Sequence, residues 1–445
     1  MKDPADSTLA YMDQASYLAR RALGRGPVIQ YVWIYERGVD LDGLRRFQRN
    51  LADGLLGRRV ERSSVPLGRH HWVSSPPTGI DIATAERARD AMWEFADERA
   101  DVEVDPELGP PWHLGVQPLV GGGSIVSLVV SHTVADAGAL IESITHAVAG
   151  TGRDLRYPAA RSRTRKQALG RDLRILARAI AEIPAAVVGA AQLARAESAD
   201  LAASAKAAPV SLGVRSERPV HLPTVAARVD QGEWDDRARA LGGSSNVLLA
   251  GIASRIGAHI GRVDADGKVL LSIPVSERVE GDTRGNALNA ITVTVDPEHV
   301  AADLGGLRGD VKVAFAEMTA KRDLLMAPLP LTPYTPKFLV RRLEKMVMRI
   351  GKPIGSSNVG VLPEAVNCPD GTPADYFMSR SPEPGVTGSD LDRMDGRLMV
   401  AAGTMAGAVW ISVASWEVGS QNTRDQLMQA VKEAFCDFDL AVELT

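Results

Sequence analysis

His132 stands in the segment SHTVADAG, where it closes an apolar run and is followed by Asp136 and by Gly138 in a small-residue turn. A neutral imidazole accepts a proton from an alcohol or amine as that group attacks an acyl carbonyl, and its ordinary pKa of about 6.5 suits the task near neutral pH. Such chemistry needs neither a cysteine nor a metal. Two roles are open to Asp136: it orients the ring directly, or it points away into an ion pair that braces the loop. The plain structural alternative is a hydrogen-bonded core histidine followed by an ordinary helix-start aspartate.

Other reactive groupings carry less. His70-His71, in LGRHHWV, is a histidine pair flanked by Arg69 and Trp72, but no acid or cysteine stands near it in sequence to complete a metal site. The HTVAD spacing likewise lacks a third ligand, so no metal is expected. There is no GxxxxGK[ST], HExxH or GxSxG and no glycine fingerprint between strand and helix, which removes phosphate-loop, zincin and common serine-hydrolase readings. Cys368 and Cys436 form neither a disulfide framework nor a zinc spacing.

The elements that must position His132 follow from periodicity. SIVSLVVS reads as a buried strand, and from Asp136 onward Leu140, Ile141, Ile144 and Val148 keep a helical period closed at Gly150, so His132 falls where a strand hands over to a helix. Upstream, VIQYVWIYE is a strand, LDGLRRFQRNLADGLL a helix and TAERARDAMWEFADERA a second helix. From about Arg161 the composition turns to Ala and Arg. Leu169, Leu173, Leu176, Ile180, Ile183 and Val187 recur at helical steps, with Pro184 as a bend and Arg171, Arg174 and Arg178 on another face. This amphipathic helix is either a linker packed against the protein or a helix lying on anionic lipid. AESADLAASAKAAPVS reads as a connector. Beyond it come strands in VAARVDQ, KVLLSIPVSER and ALNAITVTVD, and helices in SSNVLLAGIASRIGAHIG, capped by Ser244, and LGGLRGDVKVAFAEMTAKRD. RLMVAAGTMAGAVWISVASWEVG forms two strands joined by a turn, and TRDQLMQAVKEAFCDFDLAVE a closing helix. Both halves are mixed α/β, with similar strand and helix contents.

The chain has 445 residues, 45% of them hydrophobic, enough for two or three packing units. With 51 basic and 55 acidic residues it has a net charge of -4, which lacks the positive field of a nucleic-acid binder. No apolar run is long enough to span a bilayer and the amino terminus lacks a secretory pattern, so a cytoplasmic protein is expected, with attachment to the inner membrane face left open.

SHTVADAG resembles the HHxxxDG signature of the acyl-CoA-dependent acyltransferase superfamily, which includes chloramphenicol acetyltransferase, plant alcohol acyltransferases, peptide-synthetase condensation domains and bacterial wax ester synthase/diacylglycerol acyltransferases. The last group fits best. VPLGRHHWV, GPPWHLGVQPL, SSNVLLAGIASRI, IPVSERVEGDTRGN and SNVG are similar to its segments, in the same order, over most of the chain. The resemblance implies an N-terminal lobe over 1–160, a basic crossover helix and linker over 161–215 and a C-terminal lobe over 216–445, with a substrate channel between the lobes. It maps the catalytic histidine onto His132 and the structural aspartate onto Asp136, followed by Gly138, and makes Arg278 the basic partner. Asn246, Asn286, Ser357 and Asn358 match second-lobe positions near the channel, where hydroxyl or amide donors stabilise an oxyanion. The motif is degenerate: Ser131 replaces its first histidine, Ala137 stands at its glycine, and Val247 follows Asn246 where the family has an aspartate.

The implied function is an O-acyltransferase that moves a fatty acyl group from acyl-CoA, a co-substrate and not a bound cofactor, to a hydroxylated lipid, glyceride or sugar. The implied partners are those substrates together with a membrane or lipid-droplet surface. The alternatives are condensation from an acyl carrier protein thioester and a catalytically inactive lipid-binding homologue.

Overall fold

A computed structural model describes residues 6–196, 217–341 and 352–445. Nearly all of the expected connector, 197–211, lies outside the described residues. The first half gives α1 (Tyr11–Leu23), β1 (Val28–Tyr35), α2 (Leu41–Leu51), β2 (Arg58–Glu61), β3 (His71–Ser74), β4 (Ile80–Ile82), α3 (Met92–Ala100), β5 (Trp112–Pro118), β6 (Ser124–Ser131), α4 (Ala137–Ala149) and α5 (Arg165–Ala196). The second gives β7 (Thr224–Asp230), α6 (Gln231–Ala240), α7 (Ser245–His259), β8 (Val269–Ser276), β9 (Leu288–Val295), α8 (Gly305–Ala320), α9 (Arg322–Met326), β10 (Ile354–Val361), β11 (Tyr376–Arg380), α10 (Gly388–Arg393), β12 (Arg397–Met405), β13 (Ala408–Trp416), α11 (Arg424–Asp437) and β14 (Glu443–Leu444).

The strands build two mixed sheets, ordered β11-β1-β6-β5-β4 and β14-β7-β13-β12-β10-β8-β9, and a separate antiparallel pair, β2-β3. Every residue of β1 and β6 is buried, because both faces of the first sheet are covered. Ile29, Tyr31, Trp33 and Tyr35 enter one core with α2 and α4, while Val32 and Ile34 pack on the other face with Phe95 of α3. That two-sided burial explains why β1 and β6 read as unbroken apolar runs. The second sheet has one main core, formed with α7 and α11 around Leu248, Ile252, Val431 and Phe435. The two lobes are stitched together: β11, from the C-terminal half, leaves the second lobe and pairs antiparallel with β1 from Gln30↔Arg380 to Ile34↔Tyr376.

Several expectations shift at element ends. The second helix starts only at Met92, because Arg87 is held in backbone pairing with Pro118 and Val120. Ser244 occupies the cap position of α7 but its side chain makes no capping bond. The helix expected to run to Asp323 breaks at Lys321 before α9. Pro274 sits inside β8 without breaking it, since among the described residues β10 pairs with β8 only at Leu271 and Ser272.

Continuous through Pro184, α5 docks by an unexpected face, on the first lobe around Asp172 and on Ala327 of the second half around Gly189. Asp172, Ala179 and Ala186 are buried, and Asp172 accepts from Ser64 Oγ and backbone N at 2.6 Å while meeting His71 Nε2 at 2.6 Å. Leu169, Leu173, Ile180 and Val187, the stripe that periodicity marks as apolar, point outward instead. His70 diverges from His71: its Nδ1 accepts from Ser63 N, and its ring lies edge-on to Tyr17. The pair therefore does not converge on a metal.

Burial, then the neighbouring His71, pushes the His70 imidazole down to about 4, and burial lowers His71 too. Folded-state values below the unfolded value of about 6.5 mean that both rings stabilise the fold above that pH and lose the contribution as pH falls. For His70 the loss is about 2 kcal/mol at about pH 4.5. Asp172 adds to the trend: burial opposes ionisation, but the Ser64 bonds and His71 hold its carboxyl below the usual range, so that stability also disappears in acid. His70→Asn, which keeps an acceptor for Ser63 N, is expected to show a smaller fall in melting temperature from pH 7 to about 4.5 than the parent. Parallel curves would place the acid sensitivity elsewhere.

Candidate active site

β6 ends at Ser131, and the turn that follows is pinned on both sides: His132 N donates to Pro27 O at 3.2 Å and Asp136 N to Gly285 O at 2.7 Å. The second of these partners belongs to the other lobe. The chain leaving β8 runs through Glu277 to Ala287 as a loop whose base closes by Glu277 N to Ala287 O. This loop lies directly on the His132 turn.

Asp136 joins the two. Its Oδ1 accepts from Ala139 N at 2.8 Å, capping α4, and from Arg278 Nη2 at 2.8 Å, while Oδ2 accepts from Ala287 N at 2.7 Å. Arg278 also donates to the carbonyls of Arg284 and Gly285. Asp136 thus braces the loop instead of contacting the imidazole. Gly138 leaves room for this pair, since a Cβ there would sit 3.1 Å from Arg278 Nε. Ala137 is the first residue of α4, so the close approach has moved one position along from the motif glycine. At Gly285 a Cβ would fall 2.9 Å from Val134 O and 3.0 Å from Thr133 O, so the two loops meet backbone to backbone.

His132 is half-buried, and its Nδ1 lies 3.0 Å from Asn286 Oδ1. The Asn286 side-chain amide donates through Nδ2 to Asp13 Oδ1 at 3.2 Å and Thr133 O at 3.4 Å, both pure acceptors when Asp13 is ionised. Asn286 Oδ1 is therefore the atom turned to the ring. A carbonyl oxygen only accepts, so in the neutral imidazole the proton sits on Nδ1 and Nε2 carries the lone pair, with no partner among the described residues. Asp13, on α1, also accepts from Gly285 N at 3.0 Å and Asn286 N at 2.7 Å. Burial pushes the Asp13 carboxyl up, against the opposing pull of Arg58 and these N–H donors. Arg58 is fully buried, stacks 4.0 Å over the Trp72 ring and donates to Thr283 O and Val134 O, one carbonyl from each lobe.

The structure thus brings His132, Asp136, Gly138, Arg278 and Asn286 together and adds Asp13 and Arg58. Asn246 and Asn358 fall elsewhere. Asn246 is exposed on the first turn of α7, and Asn358 donates to Ser245 Oγ while accepting from Gly360 N, which braces the irregular end of β10. Ser357 is half-buried in β10 opposite Ala401. The amides of Asn286 and Asn358, expected as oxyanion donors, are both occupied within the protein. Nothing in the sequence marked Asp13, one acid in an amphipathic first helix. Nor did anything single out Arg58, which the structure places on β2.

No protein-family profile and no curated protein sequence matches the chain. Solved structures do. The first condensation domain of the calcium-dependent antibiotic synthetase, bound to a substrate analogue, superposes with a TM-score of 0.59 at 15% identity, covering 98% of this chain and 96% of that one. Polyketide synthase associated protein 5 from Mycobacterium tuberculosis gives 0.54 at 13%, with 98% of each chain covered. The nonribosomal peptide synthetase FmoA3 gives 0.54 at 17%, and there the chain spans 43% of the longer protein. The chain has the two-lobed mixed α/β fold of condensation domains.

Proposed function

We propose that the protein is an acyltransferase in which His132 is the general base. The carrying observation is the Asp13–Asn286–His132 chain of hydrogen bonds at the seam between lobes, which leaves Nε2 as the unprotonated nitrogen. Nε2 takes the proton of a hydroxyl acceptor as its oxygen attacks the thioester carbonyl. The tetrahedral adduct then collapses, and the departing thiolate recovers the proton from the imidazolium. Asp136 and Arg278 hold the loop that carries Asn286, so they position the base without touching substrate. No acyl-enzyme forms.

The sequence resemblance to wax ester synthase/diacylglycerol acyltransferases supports acyl-CoA as donor and a hydroxylated lipid, glyceride or sugar as acceptor. The likeness to condensation domains supports a second reading, with a carrier-protein thioester as donor. Mass spectrometry of products after incubation with acyl-CoAs or acyl-loaded carrier protein, each with a panel of alcohols, separates them. Ester formed only from acyl-CoA is the expected result, and product only from the carrier reverses the donor assignment. Co-purified lipid with no product from either donor would instead mark a lipid-binding protein that has lost turnover.

A further inference from the structure

Helix α5 is amphipathic in the reverse of the usual sense. Leu169, Leu173, Ile180, Val187 and Val188 lie between 46% (Leu169) and 57% (Val188) exposed, on one arc about 28 Å long. Ala177, Pro184 and Ala191 fall on the same arc and are exposed, with Leu176 half-exposed at its margin. The acids of this helix, Asp172 and Glu182, are turned away from it: Asp172 is sealed against Ser64 and His71, and Glu182 accepts from Tyr11 OH. Beside the arc Arg171, Arg174 and Arg178 line an open groove with Arg69, Asp6 and Glu182, where Arg171 faces Asp6 at 3.9 Å. Neither Arg174 nor Arg178 meets a carboxylate among the described residues; Arg174 Nε donates only to Gly170 O. Arg165 and Lys166 lie exposed at the start of the helix.

An apolar arc with no acid on it, flanked by the Arg174 and Arg178 guanidinium groups that no described carboxylate neutralises, is complementary to a surface that is greasy inside and anionic at its rim. The geometry points to an anionic phospholipid bilayer as the occupant, with α5 lying in the interface plane, its leucine, isoleucine and valine side chains among the acyl chains and Arg174 and Arg178 at headgroup phosphates. Self-association through this face is disfavoured by the same charges, because two copies would bring their arginine rows together. Through the Tyr11–Glu182 bond α5 is joined to α1, the helix that carries Asp13. The inference stands apart from the catalytic proposal.

Flotation of the full chain with vesicles tests it. The protein is expected to rise with vesicles of phosphatidylcholine containing roughly a third phosphatidylglycerol, to stay down with phosphatidylcholine alone, and to be released by salt. Arg174→Glu with Arg178→Glu should cut partitioning at least roughly thirtyfold, taking about 1 kcal/mol for each basic residue lost at the surface. Ile180→Ser with Val187→Ser should abolish it. These side chains are exposed, so unchanged melting temperatures confirm intact folding. Equal binding to both vesicle types, binding that the variants leave unchanged, or no binding at all overturns the proposal. So does a dimer, seen by light scattering, that Ile180→Ser with Val187→Ser dissolves while vesicles remain unbound.

Discussion

His132→Ala is expected to lower turnover by roughly 10²- to 10⁴-fold, the range that a positioned general base supplies, with melting temperature close to the parent because the ring is half-buried and bonded through a single nitrogen. Asn286→Ala tests the positioning. Nitrogen-15 spectra of the parent should show the His132 proton on Nδ1, and the variant should show a mixture of tautomers, because the acceptor that holds the proton there is gone. Turnover should fall with little change in KM, since Asn286 reaches the reaction only through the ring. A parent spectrum with the proton on Nε2 would refute the assignment whatever the acyl acceptor proves to be.

Arg278→Met is expected to destabilise the fold by about 3–5 kcal/mol in denaturant titrations, because it removes the cation from a carboxylate that stays buried between the lobes. Asp136 keeps its bonds from Ala139 N and Ala287 N but loses the charge that balances it. Adding Asp136→Asn to Arg278→Met should cost much less than the sum of the single changes, since the second removes the charge that the first strands. Strict additivity would show that the pair is coupled only on paper. A change below about 1 kcal/mol for Arg278→Met would mean that the backbone bonds alone hold the loop.

The sequence disclosed the local parts of this arrangement and little of what crosses between lobes. β6, α4 and the position of His132 between them could be read because burial on both faces of a strand and one face of a helix leaves a periodic trace. Arg278 and Asn286 came through resemblance, not periodicity, and their partners follow from the loop's backbone, which bonds Asp13 and Asp136 by N–H groups that no residue type reveals. Asn286 was expected as an oxyanion donor because an amide beside a channel can donate; its donors are instead consumed by Asp13 and Thr133. The outward arc of α5 shows the limit of pattern reading most plainly. The apolar spacing there is helical, but spacing does not say which side meets the protein, and the buried Asp172 decides that.

The insertion of β11 beside β1 has a further consequence. A hinge that swung the lobes widely apart would have to unzip the paired rungs from Gln30↔Arg380 to Ile34↔Tyr376 from an all-buried strand. Along this seam the lobes are therefore tethered like the covers of a bound book, and parting them carries the cost of breaking those rungs.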